Sequence, residues 1–88
     1  MNWDGEKMDF QTTVFDVQEL RNELIHLTLD EVVEALEYKG YNPVNQLVGY
    51  LKTGDEKYIT SFNNARKKIK KYDRSEILMV LLHKYMEK

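Results

Sequence analysis

The chain contains no cysteine among its 88 residues. Disulfides and thiolate metal sites are therefore excluded, and the composition fits a reducing compartment. Long apolar runs are missing as well: the longest, Ile77 to Leu82, is far short of the roughly 20 residues of a membrane span. The first ten residues carry acidic side chains and no apolar core, which is not the pattern of a secretory signal, so a cytoplasmic location is expected. Nor is there a surplus of charge. A formal net charge of −2 and a pI near 5.7 give bulk electrostatics no reason to favour nucleic acid or an anionic membrane.

What the chain does have is 42% hydrophobic and 32% charged residues, the balance of a soluble helical domain rather than of a disordered segment. Its length suits one domain with a single small core, without room for a deep enzyme cleft beside it. The clearest local signals lie between Tyr38 and Asp55. Gly40 suits a left-handed helix stop, Asn42 a side-chain cap and Pro43 the first helical position; Gly54 and Asp55 repeat the stop and start.

Residues 1–15 lack a helical period and read as a flexible arm, with residues 16–88 as a single helical domain. Asp16 and Glu19 have capping-box spacing, and Val17, Leu20, Leu24, Leu27, Val32, Val33 and Leu36 recur every three to four positions. One long helix up to Gly40 is expected, although Thr28 to Glu31 repeats the capping-box spacing. In the next helix, Pro43 to Thr53, the residues Val44, Leu47, Val48 and Leu51 form the expected inward face, and Gly49 in its interior implies that a neighbouring group passes close. Asp55 to Ile59 allows one short turn anchored by Tyr58 and Ile59. Thr60 or Ser61 would cap a third helix burying Phe62, Ala65, Ile69 and Tyr72. Asp73 and Glu76 open a fourth, running to the C-terminus. The predicted fold is all-α: a compact bundle of four main helices plus a short helical turn. Because Ile77 to Leu82 is apolar on every side, the fourth helix needs more cover than so small a monomer supplies, and a homodimer with Ile77, Leu78, Leu81 and Leu82 in its core is expected.

The search for chemistry returns little. The two histidines, His26 and His83, have no second ligand at i+3 or i+4, and no phosphate loop, nucleophile elbow or carboxylate pair stands out. Neither an enzyme nor a metal or cofactor site is expected. The basic run Arg66 to Lys71, with Arg74, supports three readings: a solvated face, a docking site for an anion or phosphate around Arg66, Lys70 and Arg74, or the basic helix of a helix-turn-helix-like DNA-binding protein using the 66–74 face. Low net charge and a mostly lysine face argue against the last, and no nucleic-acid partner is expected. Thr12 and Thr13 lie in the arm just before a helix start, where phosphate charge is favourable.

Ala35-Leu36-Glu37, the block from Lys39 through Gly40-Tyr41-Asn42-Pro43 to Leu51, Gly54-Asp55, Tyr58-Ile59, Ala65-Arg66, Ile69, Arg74 and Glu76-Ile77 together resemble the IreB family of small regulatory phosphoproteins of Gram-positive bacteria. The resemblance implies a helical homodimer that acts as a non-enzymatic switch. A membrane Ser/Thr kinase that senses cell-wall damage would phosphorylate a threonine of the arm. The unmodified form would promote Clp-dependent turnover of the first committed enzyme of peptidoglycan synthesis, with consequences for resistance to cell-wall antibiotics. The implied partners are thus the kinase, a Clp adaptor or a cell-wall synthesis enzyme. Ungapped comparison around Phe15 matches Thr12 to the family's phosphothreonine, and a one-residue length difference before Ala35 keeps Thr13 in view. Departures fall at Glu56, Thr60 and Ser61, where the family usually carries two prolines and an arginine, and at Lys70, where arginine is usual.

Overall fold

The computed structural model describes residues 16–87. Helix α1 (Val17–Tyr38) starts where the Asp16 side chain accepts a 2.9 Å hydrogen bond from the Gln18 N–H, satisfying one of the first turn's unpaired donors. It runs unbroken through Thr28 to Glu31, so the second capping-box match starts nothing. Its end is a Schellman turn: Gly40 sits at φ 86° and donates to the Glu37 carbonyl, while the Tyr41 N–H reaches back to the Leu36 carbonyl, both at 2.9 Å.

Helix α2 (Pro43–Thr53) opens on Asn42, whose side chain accepts from the Asn45 N–H at 3.0 Å, and closes on Gly54 at φ 75°. Asp55 then starts a 3-10 turn, Glu56–Tyr58, by accepting from the Lys57 N–H at 2.9 Å. These local signals act as the sequence leads one to expect.

The third helix does not. Thr60 accepts from the Phe62 N–H at 3.2 Å, but Asn63 and Asn64 both take left-handed backbone, at φ 54° and 60°. Asparagine tolerates that conformation better than other non-glycine residues. The expected single helix is thereby split into a 3-10 turn, Phe62–Asn64, and the five-residue α3 (Ala65–Ile69). Helix α4 (Arg74–Met86) follows Asp73 as expected, though Asp73 makes no side-chain cap. Among the described residues there is no strand.

The core is built on one face of α1. Ile25, Leu29, Val32, Ala35 and Leu36 are buried there against Tyr50, Ile59, Ala65, Ile69, Ile77 and Val80, with Leu47, Leu51, Phe62 and Tyr72 packed around them. This corrects the expected stripe of α1. Val32 and Leu36 are inside, whereas Val17, Leu20, Leu24 and Leu27 are exposed, Val17 by 75%, because α2, α3 and α4 cover a different face. In α2, Val44 and Val48 are likewise exposed, and Tyr50 is the buried residue between Leu47 and Leu51. Helical spacing permits both apolar arcs, and only the neighbours select one.

Gly49 shows the close approach its position implies. A methyl group there would overlap the Tyr58 ring, lying 2.7 Å from Cζ. Gln46 fixes the same turn by donating to the Tyr58 carbonyl at 2.9 Å. We expect Gly49→Ala to lose about 1 kcal/mol, because overpacking of about 1–3 kcal/mol outweighs the roughly 1 kcal/mol gained in helix propensity. In a Tyr58→Ala background the same change should instead stabilise. Urea unfolding of the four proteins of this cycle checks both signs; a stabilising Gly49→Ala on the wild-type chain would refute the close packing.

Candidate functional site

The cations Arg66, Lys70 and Arg74 converge on one stretch, Leu51 to Ile59, which runs from the last turn of α2 through the first 3-10 turn. Arg66 and Lys70 lie in and just after α3, and Arg74 is the first residue of α4. All three reach back to that segment. The Arg66 Nε donates to the Ile59 carbonyl at 2.8 Å, and Arg74 Nη1 donates to the Leu51 carbonyl at 3.2 Å. The Arg74 guanidinium also lies against Gly54, where any Cβ would stand 2.9 Å from Cζ. Lys70 Nζ bonds Glu56 Oε1 at 2.6 Å.

The three charges are thus gathered, but each already has a partner within the chain. Two satisfy main-chain carbonyls, a structural task for which a planar, permanently charged guanidinium is suited. The Lys70 bond holds the Glu56 carboxyl below the usual glutamate range, with the Arg66 charge adding to it. The helix-turn-helix reading loses its geometry here, because the helix that would carry the basic face is only five residues long and a recognition helix must reach along a groove.

A second polar cluster joins α1 to α4. Arg21 donates to Glu76 through Nε and, at 3.0 Å, through Nη2, and its guanidinium lies 5.1 Å from the Tyr72 ring centroid. Glu76 therefore does more than its capping position suggests, although the Asp73 backbone N–H still contributes to it. Its carboxyl is held below the usual range, first by the Arg21 hydrogen bond. The local spacing with Asp73 was legible; a partner 55 residues away was not.

Elsewhere, His26 and His83 line one groove of about 670 Å³ between α1 and α4, together with Glu19, Glu23, Leu20 and Val80. Spacing along the chain hides this meeting, since the two histidines belong to different helices. No group of three potential metal ligands forms among the described residues. Tyr38 and Phe62 stack at 4.6 Å with planes 9° apart, and Lys39 lies over the Phe62 ring. Of the residues assigned to a dimer core, Ile77 is buried inside the protomer at 1% exposure, while Leu78, Leu81 and Leu82 remain exposed. Thr12 and Thr13 lie outside the described residues, as does the whole expected arm.

A sequence model of the IreB regulatory phosphoprotein family matches residues 10–87, nearly the whole chain. The chain belongs to the IreB family. The matched span takes in Thr12 and Thr13 as well as Arg66, Lys70 and Arg74. No helix of this IreB chain, among the described residues, is long and apolar enough to cross a membrane.

The Arg21 to Glu76 bond makes a pH prediction with a definite sign. A carboxyl whose folded pKa is depressed stabilises fully above its unfolded value, here about 4.5, and that contribution disappears as pH falls through the folded value. Glu76→Gln should therefore lower Tm near neutral pH, and its gap to the wild-type protein should close below about pH 4. Thermal melts across that range would show it, and a gap independent of pH would refute the assignment.

Proposed function

We propose that this chain is a non-enzymatic regulatory switch whose state is set by phosphorylation of Thr12 or Thr13. The family match over residues 10–87 carries the reading. The modifying enzyme is a Ser/Thr kinase responsive to cell-wall stress. Phosphorylation changes partner binding, and through it the Clp-dependent turnover of the first committed enzyme of peptidoglycan synthesis and resistance to cell-wall antibiotics. The basic residues support this reading, because Arg66, Lys70 and Arg74 all bond to the stretch between Leu51 and Ile59, and clustered cations attract an added phosphate.

The switch acts as a homodimer. Val17, Leu20, Leu24 and Leu27 form an exposed stripe on α1, and Leu78, Leu81 and Leu82 expose another on α4. Removing such side chains from water against a second copy would yield about 25 cal/mol for each Å² of apolar surface covered. Leu78, Leu81 and Leu82 form this proposed interface, while Ile77 supports it from inside the protomer.

Two measurements test the reading. Pull-downs from a lysate with untreated and kinase-treated protein should retain different partners, and a Thr12→Ala, Thr13→Ala double variant should behave as untreated under both conditions. Identical partner sets for treated and untreated protein would end the switch proposal. For the dimer, light scattering should return about twice the 10.5 kDa of one chain, and Leu78→Asp with Leu82→Asp should return the single-chain mass while keeping the helical circular dichroism. A wild-type mass of one chain would exclude the homodimer.

A further inference from the structure

Beside Lys70 and Arg66 lies a carboxylate of the same chain. Lys70 holds Glu56 Oε1 at 2.6 Å, with side-chain exposures of 50% and 47%. Arg66 is anchored next to it through the Ile59 carbonyl, and Ile59 closes the Glu56 turn by donating its N–H to the Glu56 carbonyl at 3.0 Å. The Arg66 bond uses Nε and leaves its terminal nitrogens for another acceptor. An ion pair this exposed is weak and exchanges readily with other ions.

We propose that Arg66 and Lys70 form a subsite for a phosphate monoester, the phosphothreonine of the arm, and that Glu56 fills this subsite as an internal competitor while the arm is unmodified. The inference rests on the reading of Thr12 or Thr13 as the modified residue. A carboxylate shows by its position where these cations favour an anion, but it brings one negative charge. Phosphothreonine brings about −1.5 to −2 and three strong acceptor oxygens, so it displaces Glu56 where a second carboxylate does not. Glu56 thereby sets a threshold: weakly anionic segments stay off the basic surface and a phosphorylated one docks. It also follows that Thr12→Glu or Thr13→Glu does not imitate phosphorylation in this chain unless Glu56 is also neutralised.

The test uses the full chain and a labelled synthetic peptide of residues 8–16 phosphorylated at Thr12, with a second peptide phosphorylated at Thr13 and inorganic phosphate as separate arms. Fluorescence anisotropy of the peptide is the readout, and phosphate is followed by its competition. Glu56→Gln should tighten phosphopeptide binding about fivefold and Lys70→Met should weaken it by a similar factor, with the unphosphorylated peptide failing to bind. Both side chains are about half exposed, so the variants should fold as the wild type does, which circular dichroism checks. Equal binding by the wild type and Glu56→Gln, or no loss in Lys70→Met, overturns the subsite. Inorganic phosphate following the same order while neither phosphopeptide binds overturns the arm as its ligand. If the subsite fails while kinase treatment still changes partner binding, the switch survives and only its docking is wrong. If the expected order holds while partner binding never responds to the kinase, the subsite stands and the switch reading falls.

Discussion

Burial of Ile25, Leu29, Val32, Ala35 and Leu36 along one face of α1 supplies the surface on which the rest of the domain rests. Helices α2, α3 and α4 and the second 3-10 turn all touch α1. Each large aliphatic side chain fully withdrawn from water there contributes about 1.5–3 kcal/mol before the entropy of ordering the chain is set against it. A chain of 88 residues has one core of this kind. Once α1 has committed that face, Val17, Leu20, Leu24 and Leu27 on its other apolar arc, and Leu78, Met79, Leu81 and Leu82 on α4, stay exposed. The homodimer proposed above would cover both.

The segment between α2 and α3 depends on the same core and carries the charge. Ile59 is fully buried in it, and Tyr58 lies over Gly49, so the turn between them is held at a fixed place on the domain. Arg66 then satisfies the Ile59 carbonyl in that segment, Arg74 the Leu51 carbonyl in the last turn of α2, and Lys70 meets Glu56 between them. The cations therefore work first as parts of the fold. Their remaining hydrogen-bonding capacity, and the single exchangeable pair among them, is what a phosphate could use.

Much of this was legible from residues acting on near neighbours. Gly40, Asn42, Pro43, Gly54 and Asp55 all perform the stops and starts their chemistry indicates, because a cap is completed by backbone groups two or three positions away. Gly49 pointed correctly to a close neighbour without naming it. The third helix differs from expectation because Phe62, Ala65, Ile69 and Tyr72 keep an apolar spacing across a backbone break that Asn63 and Asn64 introduce. Arg66, Lys70 and Arg74 stand out in the sequence by charge, and the fold brings each of them to residues 51–59. Their engagement by carbonyls and by Glu56 was hidden, since it depends on how α3 and α4 turn back over residues 51–59.

Most helix starts and stops, and the helical character of the described residues, can be read from local chemistry that is nearly independent of the rest of the fold; the break at Asn63 and Asn64 is the exception. The sequence also carries the family pattern. Tertiary packing alone decides which of two apolar arcs on α1 is buried, which side chain meets Gly49, that Glu76 bonds Arg21, and that Glu56 pairs with Lys70. Those outcomes depend on contacts between segments far apart in the chain, and helical periodicity is satisfied equally well by the arc that is buried and the arc that is not.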